Sequence, residues 1–156
     1  MVNADDQLRE AAQRAVRRLD QVGWSIAIAD SVTSGLLASL TERAPRGRRC
    51  FVGGVVSHPH PNQGWLVGVD WPDAIDESSA QSMAVKIQWM FDADVGVGVV
   101  GGGQPRSGSR EPRSVYVGWA GPDGHGVEHL DHAAVGNDAR RACLAVFELV
   151  ARSTTS

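Results

Sequence analysis

The stretch that decides the fold is WSIAIADSVTSGLLASL, residues 24–40. Its first six residues, 24–29, are apolar apart from one serine and predict a buried β-strand. Residues 30–35 form a turn rich in hydroxyl groups, and residues 36–40 predict a short helix that ends before Pro45. A strand, a hydroxyl loop and a helix N-terminus therefore follow one another.

Helices and strands alternate on both sides of this stretch. Apolar residues recur three to four positions apart from Leu8 to Val22 and predict a first helix, with Asp5 and Asp6 suited to its N-terminus and Gly23 to its end. The other predicted elements are strands over Phe51–Val56, Val95–Val100, Ser114–Ala120 and Val127–Ala134, a hairpin turn at 121–124, and helices that begin at Asp76-Glu77 and Asp138. This succession predicts a three-layer α/β/α sandwich with a mixed sheet, whose antiparallel part is the hairpin at 114–134.

Composition limits the class of protein. The chain has 156 residues, 42% hydrophobic and 21% charged, so we expect one folded domain over residues 1–156. No apolar run reaches the roughly 18 residues of a membrane span, and no signal peptide is evident, so we expect a soluble cytoplasmic protein. A net charge of −3 provides no general attraction to nucleic acid. Five tryptophans are as compatible with a homo-oligomer interface as with a core.

No cofactor or metal is expected from the sequence. Cys50 and Cys143 are too few for a structural zinc site, and His58 and His60 share a loop that has no acidic or cysteine ligand beside them. Residues 96–101 match the dinucleotide fingerprint G-x-G-x-x-G. Their first glycines lie inside a predicted strand, however, and a loop follows where the fingerprint needs a helix.

The hydroxyl loop at 30–35 is the first candidate site. Backbone N–H groups at a helix N-terminus bind oxyanions, and a serine there can act as a nucleophile. The alternative is that Ser31 or Thr33 is only the N-cap of the helix.

Residues 29–38, ADSVTSGLLA, resemble the signature A-E-S-C-T-G-G-x-x-A of the C-terminal domain of the competence-damage-inducible protein CinA. Looser matches follow in the family's order at residues 51–57, 66–69, 74–77, 83–84, 98–103 and 112–118. The resemblance implies the fold of that family and its activity, which is that of a nicotinamide-nucleotide amidase. Such enzymes hydrolyse the carboxamide of nicotinamide mononucleotide.

The resemblance also implies a site. It places the catalytic nucleophile at Ser31, and a pocket between loops 31–35, 57–63 and 101–103. Backbone N–H groups of the first and last of these loops would hold a phosphate. The residues expected to bind the ligand are Thr33, Ser34, Gly35, Gly101 and Gly102.

The residues that activate the serine differ from the family's. The family uses a Tyr and a Lys, and at those positions this chain has His58 and Gln63. Glutamine is not a useful proton acceptor, whereas a neutral imidazole is a competent base near pH 7. His58 is therefore the candidate catalytic base, with Asp30 able to orient it. The single lysine, Lys86, lies on the third long helix, where we see no reason for it to reach Ser31.

Three functions follow from this departure. We favour a divergent relative that is weak or inactive toward nicotinamide mononucleotide and keeps a nucleotide-type pocket for a small-molecule ligand. The alternatives are an active amidase that uses Ser31 and His58, and a non-catalytic interaction module.

Overall fold

The computed structural model describes residues 3–58, 75–101, 114–130 and 138–154. The elements of these residues, in chain order, are α1 (Ala4–Val22), β1 (Ile26–Asp30), α2 (Leu36–Arg43), α3 (Gly47–Cys50), β2 (Phe51–Val56), α4 (Glu77–Met90), β3 (Val95–Gly101), β4 (Val115–Gly121), β5 (Gly124–Leu130) and α5 (Asp138–Ser153). Within the same ranges, no helix is long and apolar enough to cross a membrane.

The five strands form one mixed sheet in the order β2-β1-β3-β4-β5. β1 pairs in parallel with both β2 and β3, whereas β4 and β5 add antiparallel strands at one side. The chain moves from β1 to one neighbour and then crosses to the other. In open α/β sheets, such a reversal of strand order marks a crevice at the carboxyl ends of the strands.

Helices cover both faces of the sheet, which confirms the predicted three-layer α/β/α arrangement. On one face the larger core joins α1, α2 and α5 to β1, β3 and β4. On the other face a smaller core joins α4 to the alternate residues of β1 and β3. β1 and β3 are buried along their whole length because they are covered on both faces.

Glycines bring α4 unusually close to the sheet. A Cβ atom at Gly98 would lie 2.6 Å from the carbonyl oxygen of Ala80 and 2.6 Å from Cβ of Met83. A Cβ atom at Gly118 would lie 2.2 Å from the same carbonyl, and one at Gly96 would also collide with the helix. Helix packing therefore accounts for the glycines at 96 and 98, which lie inside a strand as the sequence predicts.

Two element boundaries differ from the prediction because side chains bind the backbone there. α1 begins at Ala4 and has Asn3 rather than Asp5 or Asp6 as its cap, since the side chain of Asn3 accepts a hydrogen bond from the N–H of Asp5 at 3.4 Å. β1 begins two residues later than predicted, since the N–H of Ser25 donates to the carboxylate of Asp94 at 2.8 Å. It also runs one residue further, through Asp30.

The hairpin and one short helix also differ from the prediction. β5 begins at Gly124, three residues before the predicted start, because Gly121 pairs with Gly124 across a two-residue turn. The predicted end of this strand, residues 131–134, lies outside the described residues. The arginine-rich segment before β2 contains the helical turn α3, which the sequence analysis does not predict.

Candidate functional site

Asp30 organises the loop that follows β1. The residue is 1% exposed, and its side chain accepts hydrogen bonds from the N–H groups of Val32 (2.9 Å), Thr33 (2.8 Å) and Gly35 (3.3 Å). The hydroxyl of Thr33 is a fourth donor. These bonds offset the cost of burying a carboxylate, and they leave the three N–H groups already paired. Because both carboxylate oxygens bind the loop, Asp30 does not orient His58, contrary to the role considered above.

Ser31 begins the loop at the carboxyl end of β1. Its N–H (3.0 Å) and its hydroxyl (3.1 Å) both donate to the carbonyl oxygen of Val99 on β3. The residue is 8% exposed and lies at the β1/β3 edge, where the strand order reverses. A carbonyl oxygen positions a serine proton but is too weak a base to remove it. Ser31 is therefore held in place without being activated.

Thr33 binds the first turn of α2, although the N-cap residue of this helix is Gly35 rather than Ser31 or Thr33. Its hydroxyl accepts a hydrogen bond from the N–H of Leu37 at 3.1 Å while it donates to the carboxylate of Asp30. Ser34 and Gly35 have φ angles of 55° and 93°, and this left-handed pair turns the chain into the helix. Thr33, Ser34 and Gly35 thus shape the loop, and their contact with a ligand stays a prediction.

Cys143 of α5 lies beneath the loop. Burial raises the pKa of its thiol to about 12, and the negative charge of Asp30 contributes to that rise, whereas a hydrogen bond with Thr33 opposes it. A thiol with such a pKa stays protonated at neutral pH and is a poor nucleophile. Cys143 therefore supports the loop by packing and does not compete with Ser31.

Gly101 ends β3 at the same edge of the sheet as Ser31. It has a φ angle of 152°, and a Cβ atom there would lie 2.5 Å from the carbonyl oxygen of Ser114. Glycine is needed here because the backbone that leads into β4 passes so close. Gly102, His60 and Gln63 lie outside the described residues.

The candidate bases are not paired with the Ser31 hydroxyl. His58 follows β2 and is exposed, and it has no hydrogen bond to Ser31 or to any other side chain of the described ranges. Lys86 lies on α4 with its Nζ atom 5.0 Å from the ring centroid of Trp89. Its described ring partner is thus on its own helix, and the expectation that Lys86 does not serve Ser31 stays a prediction.

Ser57 is a residue of this edge that the sequence analysis does not single out. It directly follows β2, its N–H donates to the carbonyl oxygen of Asp30 at 3.0 Å, and it is 6% exposed. The signal that could have found it is a hydroxyl residue at the end of the second parallel strand. Such residues meet the end of the first strand at the same edge of a sheet.

A cleft of about 470 Å³ lies elsewhere, between α1 and α2, with the ion pair of Arg140 and Asp5 at its border. Neither Ser31 nor His58 lines it, so we place the candidate site at the carboxyl edge of the sheet. In the part of the chain that the structure describes, no cluster of three His, Cys, Asp or Glu side chains could hold a metal ion.

The family model of the CinA C-terminal domain matches residues 8–153. The chain belongs to this family. The match includes β1, the hydroxyl loop and α2, and it confirms the resemblance drawn from residues 29–38.

Curated CinA-like proteins are related to this chain over much of its length. A CinA-like protein of Synechocystis is 32% identical over 113 residues, which are 68% of this chain and 27% of that protein. A CinA-like protein of Gloeothece citriformis is 28% identical over 123 residues, which are 74% of this chain and 29% of that protein. The chain thus spans less than a third of the length of either relative.

Solved structures of the CinA superfamily share the fold. A competence or damage-inducible protein from Enterobacter asburiae superimposes with a TM-score of 0.83 at 16% identity, covering 95% of this chain and 98% of that chain. A CinA superfamily protein from Enterobacter cloacae gives a TM-score of 0.83 at 18% identity, covering 95% and 92%. The arrangement of helices on both faces of a mixed sheet is therefore that of the CinA superfamily.

Proposed function

We propose that the carboxyl edge of β1 and β3 binds a ligand of the nicotinamide mononucleotide type and hydrolyses its carboxamide only slowly. The observation that carries this proposal is the state of Ser31, whose hydroxyl donates to the carbonyl oxygen of Val99 at 3.1 Å. Ser31 lies at the carboxyl end of β1, yet neither His58 nor Lys86 is bonded to its hydroxyl. The resemblance drawn from residues 29–38 supports amide hydrolysis as the reaction class.

The reaction requires a base for the serine proton, a hydrogen-bond donor for the charged amide oxygen and a proton for the leaving nitrogen. The Ser31 oxygen forms a bond to the carboxamide carbon while its proton goes to a base, and charge develops on the amide oxygen. The C–N bond then breaks, and the nitrogen leaves as ammonia after it gains a proton. Water hydrolyses the resulting ester, which yields the carboxylic acid and restores the serine.

Two effects lower the rate, and their sizes differ. Releasing the Ser31 hydroxyl from the carbonyl of Val99 costs about 0.5–1.5 kcal/mol, which is roughly tenfold or less. Loss of a general base costs about 10²–10⁴-fold. The glutamine at position 63, where the family has lysine, is therefore the larger penalty. His58 is the local group that would reduce it by acting as the base.

Ammonia release from nicotinamide mononucleotide tests turnover. Ser31→Ala serves as the blank, and Ser39→Ala, at an exposed serine of α2, is the matched control that should behave like the wild type. We expect a low wild-type rate, a further loss in His58→Ala, and a gain of up to about 10²–10⁴-fold in Gln63→Lys. A wild-type rate equal to that of a CinA-family amidase with the Tyr and Lys intact would refute slow turnover.

Calorimetric titration with the same nucleotide tests binding. Ser31→Trp should block the pocket, whereas Ser39→Trp should not, and circular dichroism verifies that both variants are folded. If millimolar nucleotide gives no heat with the wild type, the pocket is absent and the interaction module becomes the better description.

A further inference from the structure

The hydroxyl of Ser57 is a buried donor without a partner. The residue is 6% exposed, and among the described residues its Oγ is the buried side-chain oxygen or nitrogen that makes no hydrogen bond. Leaving a buried polar group unpaired costs about 1–3 kcal/mol, so native proteins rarely do so without a reason. A ligand that accepts a hydrogen bond from this hydroxyl would be such a reason, because the bond would then form in the complex.

The sheet register places this hydroxyl beside Ser31. Asp30 is paired with Val56 on β2 and with Val99 on β3. The next residues continue both ladders, because the N–H of Ser57 donates to the carbonyl of Asp30 and the N–H of Ser31 donates to the carbonyl of Val99. Ser31 and Ser57 therefore lie side by side directly after two paired strands, whose backbones are about 4.8 Å apart in the hydrogen-bonding direction.

Both side chains belong to the same face of the sheet. Side chains alternate between faces along a strand. Ala29 and Val55, two residues before Ser31 and Ser57, both pack in the smaller core beneath α4. The two hydroxyls thus continue the rows of Ala29 and Val55 at the carboxyl edge of the sheet.

The other donors of this edge are already used. The N–H groups of Val32, Thr33 and Gly35 donate to Asp30, and Ser31 gives both its N–H and its hydroxyl to Val99. The hydroxyl loop therefore has few donors left for an oxygen that gains negative charge. Ser57 carries a buried and unpaired donor in the adjacent position.

We infer that the Ser57 hydroxyl donates a hydrogen bond to the carbonyl oxygen of the carboxamide that Ser31 attacks. Serine side chains can serve in this way as oxyanion donors. This inference rests on the proposed function, because it takes a primary carboxamide as the ligand. It adds a contact that recognises the amide group rather than the phosphate.

The test compares Ser57→Ala with Ser79→Ala. Ser79 is also buried, at 4% exposure, but its hydroxyl donates to the carboxylate of Asp76 at 2.7 Å. In the ligand-free protein, Ser79→Ala should lower the melting temperature, whereas Ser57→Ala should leave it unchanged or raise it because no hydrogen bond is lost. Ser57→Ala should nevertheless weaken the affinity for nicotinamide mononucleotide and for nicotinamide roughly 2- to 12-fold.

Each outcome decides between the two proposals. If Ser57→Ala binds the nucleotide as tightly as the wild type, the inference about Ser57 is overturned and the proposed function stands. If Ser57→Ala melts as low as Ser79→Ala, the hydroxyl is structural and the inference is again overturned. If Ser57→Ala weakens the affinity for nicotinamide, but the wild type binds the nucleotide no more tightly than nicotinamide, the proposal of a nucleotide pocket fails and the inference about Ser57 holds. If the wild type binds neither molecule, both proposals fail.

Discussion

Replacing Asp30 by asparagine should damage the hydroxyl loop more than any other single-atom change at the site. The carbonyl oxygen of an asparagine could keep the two N–H bonds that now reach Oδ1, from Val32 and Thr33. Its NH₂ group would replace Oδ2, which accepts from the N–H of Gly35 and from the Thr33 hydroxyl. An NH₂ group cannot accept either bond, so the N–H of Gly35 would face a donor, whereas the Thr33 hydroxyl could reverse its bond and accept from the NH₂ group.

The cost follows from these contacts. The N–H of Gly35 would lose its acceptor, which costs about 1–3 kcal/mol, and the two remaining bonds would lose a charged acceptor, at about 1 kcal/mol each. We therefore expect Asp30→Asn to lower the free energy of unfolding by about 3–5 kcal/mol. This is a large part of the 5–15 kcal/mol that is typical of a domain.

The matched control is Asp94, which directly precedes β3 and binds Ser25, the residue before β1. Asp94 accepts from the N–H (2.8 Å) and the hydroxyl (3.1 Å) of Ser25, but it is exposed and uses one oxygen for both bonds. An asparagine can keep both bonds, so Asp94→Asn should cost less than about 1 kcal/mol. Urea unfolding followed by tryptophan fluorescence measures both variants. Equal losses in the two would refute the role given to Asp30.

Three further outcomes are expected. Gly98→Ala should lower the free energy of unfolding in urea by about 1–3 kcal/mol because its Cβ collides with α4. Gly121→Ala has no atom closer than 3.7 Å to its Cβ and should be neutral or slightly stabilising. Equal unfolding midpoints for the two variants would contradict this packing. Cys143, whose pKa is raised to about 12, should resist a thiol reagent at pH 8 until urea unfolds the chain, and equal labelling rates with and without urea would exclude its burial. The hydrogen bonds from Ser79 lower the pKa of Asp76 below its ordinary 3.8. The ionised carboxylate therefore stabilises α4 fully above pH 3.8, and this stabilisation is lost as the pH falls through the lowered pKa of the folded state. Asp76→Ala should then lower the free energy of unfolding by about 1 kcal/mol at pH 7 and by a shrinking amount below pH 3.8. A loss that does not depend on pH would refute the role of the ionised carboxylate.

Burial explains why the sheet could be predicted from the sequence. Residues 24–29 and 95–100 are apolar on both faces, a pattern that a strand needs only when helices cover it on both sides. The helices showed the spacing of a one-sided apolar surface. The covered sheet therefore follows from side-chain polarity alone.

The geometry of the site could not be predicted because it depends on register. Apolar spacing indicates that β1, β2 and β3 are strands, but not which residues lie side by side. The bond from the Ser31 hydroxyl to Val99 and the proximity of Ser57 to Asp30 both arise from that pairing. The hydroxyl-rich pattern also puts Asp30 in the turn rather than in the strand, and the sequence does not show that its carboxylate accepts four hydrogen bonds from the loop.

The strand order has a consequence for how the protein folds. Ser31 and its partner Val99 are 68 residues apart, and they meet only when β3 pairs with β1. A parallel pairing of such separation must first bear the entropy of closing a long loop, which places folding on the slower scale of milliseconds to seconds. The candidate nucleophile therefore reaches its position only when β3 pairs with β1, and refolding followed by ligand binding should not run ahead of refolding followed by fluorescence.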